Sequence, residues 1–168
     1  MQLQIGDMVF HPIHGVGRIA AIKELKLDEE APRSYYEVKL FNMTVWVLVE
    51  PIRIGRLRPI TGRSEIARYR RLLKSRPISM DNNFRLRHND LDNRFKLGTF
   101  QAICEIVRDL SARRLLMSLT EFELNLLRRT SQFLFQEWAV MAGVTSIEAA
   151  TDIEALLMEG REHLNKLN

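Results

Sequence analysis

Thr44-Val45-Trp46-Val47-Leu48-Val49 reads as a β-strand, because β-branched and aromatic side chains follow one another with no helix-forming run among them. Successive side chains of a strand point to opposite faces, so Val45, Val47 and Val49 share one face and Thr44, Trp46 and Leu48 the other. Both faces carry apolar groups, so one of them looks away from a single-layer core. Working outward, Asp7–His11, Gly17–Lys26, Tyr35–Phe41, Met43–Val49 and Gly55–Pro59 are further short strand candidates. Turn residues separate them at His14-Gly15, Asp28-Glu29-Glu30-Ala31-Pro32 and Phe41-Asn42. Short strands with no helix to cover them predict a small antiparallel barrel that closes on itself to hide its edges. Trp46 on the outward face either packs beneath a neighbouring domain or meets a partner.

After Pro59 the apolar period changes to that of a helix. Ile66, Tyr69, Leu72 and Leu73 form a stripe behind Ser64, a candidate cap, and Ser75-Arg76-Pro77 ends the segment. The polar run Ser79-Met80-Asp81-Asn82-Asn83 leads into a second helix with Phe84, Arg85, Leu86, Arg87, Arg94 and Lys96, up to Gly98. A third opens at Gly98-Thr99 with Phe100, Ile103, Cys104, Val107 and Leu110 at helical spacing and Glu105, Arg108 and Asp109 off that face. Thr120-Glu121-Phe122-Glu123 and Thr145-Ser146-Ile147-Glu148 each have the form of a capping box. Between them runs a long helix bearing Leu124, Leu127, Phe133, Leu134, Trp138 and Met141, stopped by Gly143.

The expectation is therefore an α+β chain of two domains: a β domain at 1–60, a connecting helix and linker at 61–78, an all-α domain at 79–160 and a frayed tail at 161–168. At 168 residues and 46% hydrophobic composition, two modest cores are affordable. Charge is uneven: residues 61–117 hold 13 Lys/Arg against 6 Asp/Glu, whereas residues 118–168 hold 4 against 8. A positive field confined to the middle suits either a phosphate backbone or a solvated helical face.

Several functions drop out. One Cys cannot form an internal disulfide, and His11 and His14 supply two candidate metal ligands with no carboxylate in phase, so turn residues are expected there. There is no Gly-rich phosphate loop, no nucleophile elbow and no His-carboxylate metal spacing, so neither catalysis nor a cofactor is expected. The start, MQLQIGDMVF, lacks a signal peptide's basic region and apolar run, and no stretch is long and apolar enough to span a bilayer. A cytoplasmic protein without membrane contact is expected.

Ile5-Gly6-Asp7-Met8-Val9-Phe10-His11-Pro12-Ile13-His14-Gly15-Val16-Gly17, with Tyr35-Tyr36-Glu37-Val38, residues 43–49 and Gly55-Arg56-Leu57-Arg58, resembles the amino-terminal module of the CarD/CdnL transcription regulators. That module is shared with the transcription-repair coupling factor. Glu105-Ile106-Val107-Arg108-Asp109-Leu110, continued by Ser118-Leu119-Thr120 and Glu123, resembles the CarD helical-domain signature, and the likeness covers roughly residues 3–157.

The resemblance implies a Tudor-like barrel that binds the β subunit of bacterial RNA polymerase, here through Thr44, Trp46 and Leu48. It implies a helical domain that touches promoter DNA at the upstream edge of the bubble and holds the open complex. Similar proteins place a Trp wedge where this chain has Phe84, flanked by Arg85 and Arg87, with Arg94 and Lys96 continuing the basic run. This chain departs from the family pattern with Leu124-Asn125 in place of a basic residue and Leu115-Leu116-Met117 in place of a charged connection. Those changes leave open a second reading, an adaptor that keeps the polymerase-type barrel and binds another protein at Leu115, Leu116 and Met117.

Overall fold

Val9, Ile19, Val38 and Val45 all fall on one side of a single pleated sheet, and that side is where the first core forms. In the computed structural model, which describes residues 3–26, 31–49 and 57–165 with side chains through Glu162, five strands build this sheet. They are β1 (Met8–His11), β2 (Gly15–Leu25), β3 (Arg33–Lys39), β4 (Thr44–Leu48) and β5 (Arg58–Pro59), in the order β4-β3-β2-β1-β5. Every pairing is antiparallel. Among the described residues β4 and β5 are the two ends of the sheet. Asp28-Glu29-Glu30 and Gly55-Arg56 lie outside the described residues.

Close packing and twist let this sheet enclose its own core. Ala20 is an extra residue between the Ile19–Val38 and Ala21–Glu37 pairs, a bulge that sharpens the local twist. The inner face then gathers Leu3, Val9, Ile19, Tyr36, Val38 and Leu57, with Val45, Val47 and Val49 packed against them. Gly17 lets β3 pack tightly against β2: a Cβ there would lie 2.8 Å from Val38 Cγ1 and 2.9 Å from the Lys39 carbonyl oxygen. In the turn between β1 and β2 the Ile13 N–H donates to His11 Nδ1 at 3.2 Å, and the His11 and His14 rings stack at 4.8 Å. Burial, and then the neighbouring His14, hold the His11 imidazole below its ordinary pKa.

The chain divides into two units at Ile60/Thr61, and the second is helical. It contains α1 (Ile66–Lys74), α2 (Phe84–Lys96), α3 (Phe100–Leu116), α4 (Glu121–Ala142) and α5 (Ser146–Asn165). Local signals in the sequence set most boundaries. Asn83 caps α2, Thr99 caps α3, and Thr120 with Glu123 forms a complete capping box on α4. Gly143 ends α4 at φ 73°, a left-handed conformation that glycine adopts without steric cost. Thr145 and Glu148 satisfy each other's backbone N–H groups at the start of α5.

Four expectations need correction. Ser64 lies in a short 3-10 turn, Arg63–Glu65, and makes no cap for α1. Residues 61–78 carry the expected helix as α1, but it packs within the helical unit instead of only connecting to it: Tyr69 and Leu73 are buried, Tyr69 meets Phe100 edge-on at 4.8 Å, and Arg70 pairs with Asp152 of α5 at 2.5 Å. Thr61 is held as well, donating its N–H and hydroxyl to the buried Glu137 carboxylate at 3.0 and 2.8 Å. On α3, Arg108 and Asp109 are buried rather than solvated, because α3 is packed on nearly all sides. The tail does not fray at 161, since α5 runs on through Asn165.

Candidate functional site

Two surfaces gather the candidate residues, one on each unit. On the sheet, antiparallel register sets Trp46 opposite Glu37 and Leu48 opposite Tyr35, with Thr44 opposite Lys39. Thr44, Trp46 and Leu48 therefore share the outer face of β4, as their alternation requires. Trp46 is 41% exposed, Leu48 is half-buried and Thr44 is exposed. Lys23 of β2 lies 5.2 Å from the Trp46 ring centroid and pairs with Glu37 at 3.0 Å. The face thus presents an indole held between charged neighbours on a strand at the end of the sheet.

On the helical unit the focus is the amino-terminal end of α2. Asn83 Oδ1 accepts the N–H groups of Arg85 and Leu86 at 2.9 and 3.4 Å, and Asp81 Oδ1 accepts that of Asn83 at 2.7 Å. This local network fixes the first turn and projects Phe84, which is 59% exposed, with the Arg85 guanidinium 5.7 Å from its ring and Leu86 also exposed. Arg85 forms no ion pair among the described residues.

The remaining basic residues of α2 are committed elsewhere, and the expected basic run is largely neutralised. Arg87 is buried, at 5% exposure: its Nε donates to the Glu123 carboxylate, and Nη1 donates to the Asp81 and Asn82 carbonyls at 2.7 and 3.1 Å. It is an anchor of α2, not a phosphate contact. Burial opposes ionisation of Glu123, but the Arg87 hydrogen bond and charge, with the Thr120 N–H, outweigh it and hold this carboxyl below its ordinary pKa. Arg94 is engaged by Asp90 at 2.5 Å and Asp109 at 3.0 Å. Lys96 stays exposed but pairs with Asp92 at 2.6 Å.

Asp109 explains why the helical signature contains an Arg-Asp pair. Its Oδ1 accepts from Ile78 N–H at 3.0 Å and Arg108 Nε at 2.8 Å, while Arg108 Nη1 donates to Ser75 Oγ at 2.7 Å. One buried carboxylate thereby ties residues 75–78, α2 and α3 together beneath the exposed tip. His88, which sequence reasoning missed, stacks on Phe122 of α4 at 3.7 Å. Its spacing of four from Phe84 places it on the same side of α2, and that spacing was the available signal. Leu115, Leu116 and Met117, at the far end of α3, are all exposed.

A small β unit with an aromatic strand face is thus followed by a helical unit with an exposed apolar and basic tip, and the family matches place this pair of units in the transcription-regulator class. Residues 3–61 match the CarD-like/TRCF RID domain, an RNA polymerase-interacting domain, and residues 69–154 match the CarD C-terminal domain. The chain belongs to the CarD family of transcription regulators. It is 29% identical over 144 residues, 84% of this chain and 94% of the other, to the protein named Putative transcription factor YdeB of Bacillus subtilis (strain 168). Among the described residues no helix is long and apolar enough to cross a membrane.

Proposed function

We propose that this regulator docks on the β subunit of bacterial RNA polymerase through Thr44, Trp46 and Leu48, and stabilises the promoter open complex with Phe84 and Arg85. The observation that carries the reading is the display of Phe84: a large apolar side chain is held in water on a helix start that Asn83 caps and Arg87 anchors. Its exposure is unfavourable for the free protein and is recovered only on contact with a partner. An apolar side chain inserted at a base step supports a distorted, partly unstacked duplex, and Arg85 beside it supplies one phosphate contact. With Arg87, Arg94 and Lys96 paired internally, DNA affinity is weak on its own. Docking on polymerase compensates by raising the effective concentration of the tip at the bubble edge. Because Phe84 favours the melted geometry, the closed-to-open equilibrium shifts without sequence readout.

The test is binding of the full chain and its Trp46→Ala variant to purified bacterial RNA polymerase at low and high salt. Docking by apolar burial predicts weaker binding of Trp46→Ala at both salts, while the circular dichroism of the two proteins stays the same. Equal affinity of the two proteins would overturn the assignment of β4 as the docking face.

A further inference from the structure

A groove of about 750 Å³ runs where the carboxy-terminal end of α3, the first turns of α4 and the carboxy-terminal half of α5 meet. Its apolar wall includes Leu115, Leu124, Phe135 and Met158. Leu115, Leu124 and Met158 are exposed there.

The charge around this wall is one-sided. Arg114, Arg128 and Arg161 line the groove from three different helices, against a single acid, Glu154. Arg114 and Arg128 form no ion pair among the described residues, and Arg128 only donates to Asn125 Oδ1 at 3.3 Å. Arg161 Nε is buried without a hydrogen-bond partner among them. Residues 118–168 hold only 4 Lys/Arg against 8 Asp/Glu. Two of those four cations face this one groove, so the basic rim stands out against an acidic third of the chain.

We infer that this groove is a docking site for an acidic amphipathic helix of a partner protein, with leucine-type side chains on the apolar wall and carboxylates against Arg114, Arg128 and Arg161. The lining residues of α4 run from Leu124 to Phe135, about 16 Å along the axis, which matches three turns of an occupying helix. Exposed Leu and Met side chains repack readily around such a helix. A nucleic-acid backbone fits less well, because its phosphates would satisfy the arginines yet leave the apolar wall in water. The inference stands apart from the polymerase and DNA contacts proposed above, since none of Trp46, Phe84 or Arg85 lines the groove.

The experiment is a fluorescence-anisotropy titration of the full chain with a labelled helical peptide of about 16 residues carrying Leu at i, i+4, i+7 and i+11 and Glu on both flanks. A second peptide keeps the Leu pattern and replaces Glu by Lys. The expected result is saturable binding of the Glu peptide, about tenfold tighter than the Lys peptide. Binding should be lost in Met158→Glu and weakened about tenfold in the Arg114→Glu/Arg128→Glu pair, and retained in Phe84→Ala. Circular dichroism and a denaturation curve establish that each variant is folded. If Met158→Glu fails to fold, Arg114→Glu/Arg128→Glu decides, because both side chains are exposed. Equal binding of both peptides, or no saturation with either, would overturn the proposal. So would displacement of the Glu peptide by duplex DNA, which assigns the groove to nucleic acid. Self-association abolished by Met158→Glu in sedimentation would overturn it too, by giving the groove to a second copy of the chain.

Discussion

Arg87 and Glu123 meet inside the helical unit with both side chains almost wholly removed from solvent, and the same carboxylate completes the cap of α4 by accepting the Thr120 N–H at 2.8 Å. Removing one partner leaves the other charge buried and unpaired, which typically costs about 3–5 kcal/mol. Arg87→Ala and Glu123→Leu are therefore each expected to destabilise the helical unit by that order in urea denaturation. The double variant should lose clearly less than the two single losses combined, since it leaves no orphaned charge. A stability of Arg87→Ala equal to that of the unsubstituted protein would mean that this arginine is free at the surface.

The same pair sets an acid limit. Glu123 titrates below its ordinary value of 4.5, so its contribution to stability is complete above that value and is lost as pH falls through the folded-state pKa. Buried Trp138 reports on the helical unit in a Trp46→Phe background. Its fluorescence in urea is expected to show a falling midpoint on acidification below about pH 4.5, and Glu123→Gln should flatten that fall while starting from a lower stability. An unchanged pH profile in Glu123→Gln would assign the acid sensitivity to other carboxylates.

Which features were legible in the sequence follows from the range of the interactions behind them. The capping boxes at Thr120 and Thr145, the stop at Gly143 and the two-faced strand at 44–49 depend on neighbours within about four residues, and a local reading finds them. Arg87 was misplaced because its partner Glu123 is 36 residues away, and a basic residue beside an exposed Phe looks solvated until that partner is known. Segment 61–78 looked like a connecting helix and linker for a similar reason. Its Pro and Ser punctuation is local, whereas the Arg70–Asp152 pair that holds it spans 82 residues. Asp109 was set off the core face because periodicity identifies apolar residues and is silent about a polar group satisfied from three sides.

Gly17 gives a test confined to the sheet. A methyl group at this position would press on Val38 Cγ1 at 2.8 Å and on the Lys39 carbonyl at 2.9 Å, and the backbone partner cannot rotate away. Gly17→Ala is expected to cost about 1–3 kcal/mol, read from Trp46 fluorescence in urea with Trp138→Phe as background. Gly62→Ala, in the helical unit and read from Trp138 with Trp46→Phe as background, is the comparison. Its added methyl would find Ser64 Oγ at 3.6 Å, an ordinary contact, and should change stability by less than about 0.5 kcal/mol. Equal effects of the two substitutions would show that the β2–β3 approach is looser than the packing at Gly17 requires.

The tip of α2 separates function from stability most cleanly, because Phe84 and Arg85 are exposed while Arg87, which anchors the helix, is buried. Phe84→Ala and Arg85→Ala should each leave the denaturation midpoint within about 0.5 kcal/mol of the unsubstituted protein. On a polymerase–promoter complex, Phe84→Ala should shorten the open-complex lifetime about tenfold, the equivalent of roughly 1.4 kcal/mol from an unstacked step that loses its support. Phe84→Trp should lengthen it, since indole adds apolar surface and an N–H donor at the same place. Arg85→Ala should shorten it most at low salt and reduce the slope of lifetime against salt by about one phosphate contact. The order Trp, Phe, Ala in lifetime with unchanged polymerase affinity identifies an inserted side chain. Three equal lifetimes with intact polymerase binding would sink the wedge and leave Phe84 as an exposed residue without a role at the bubble.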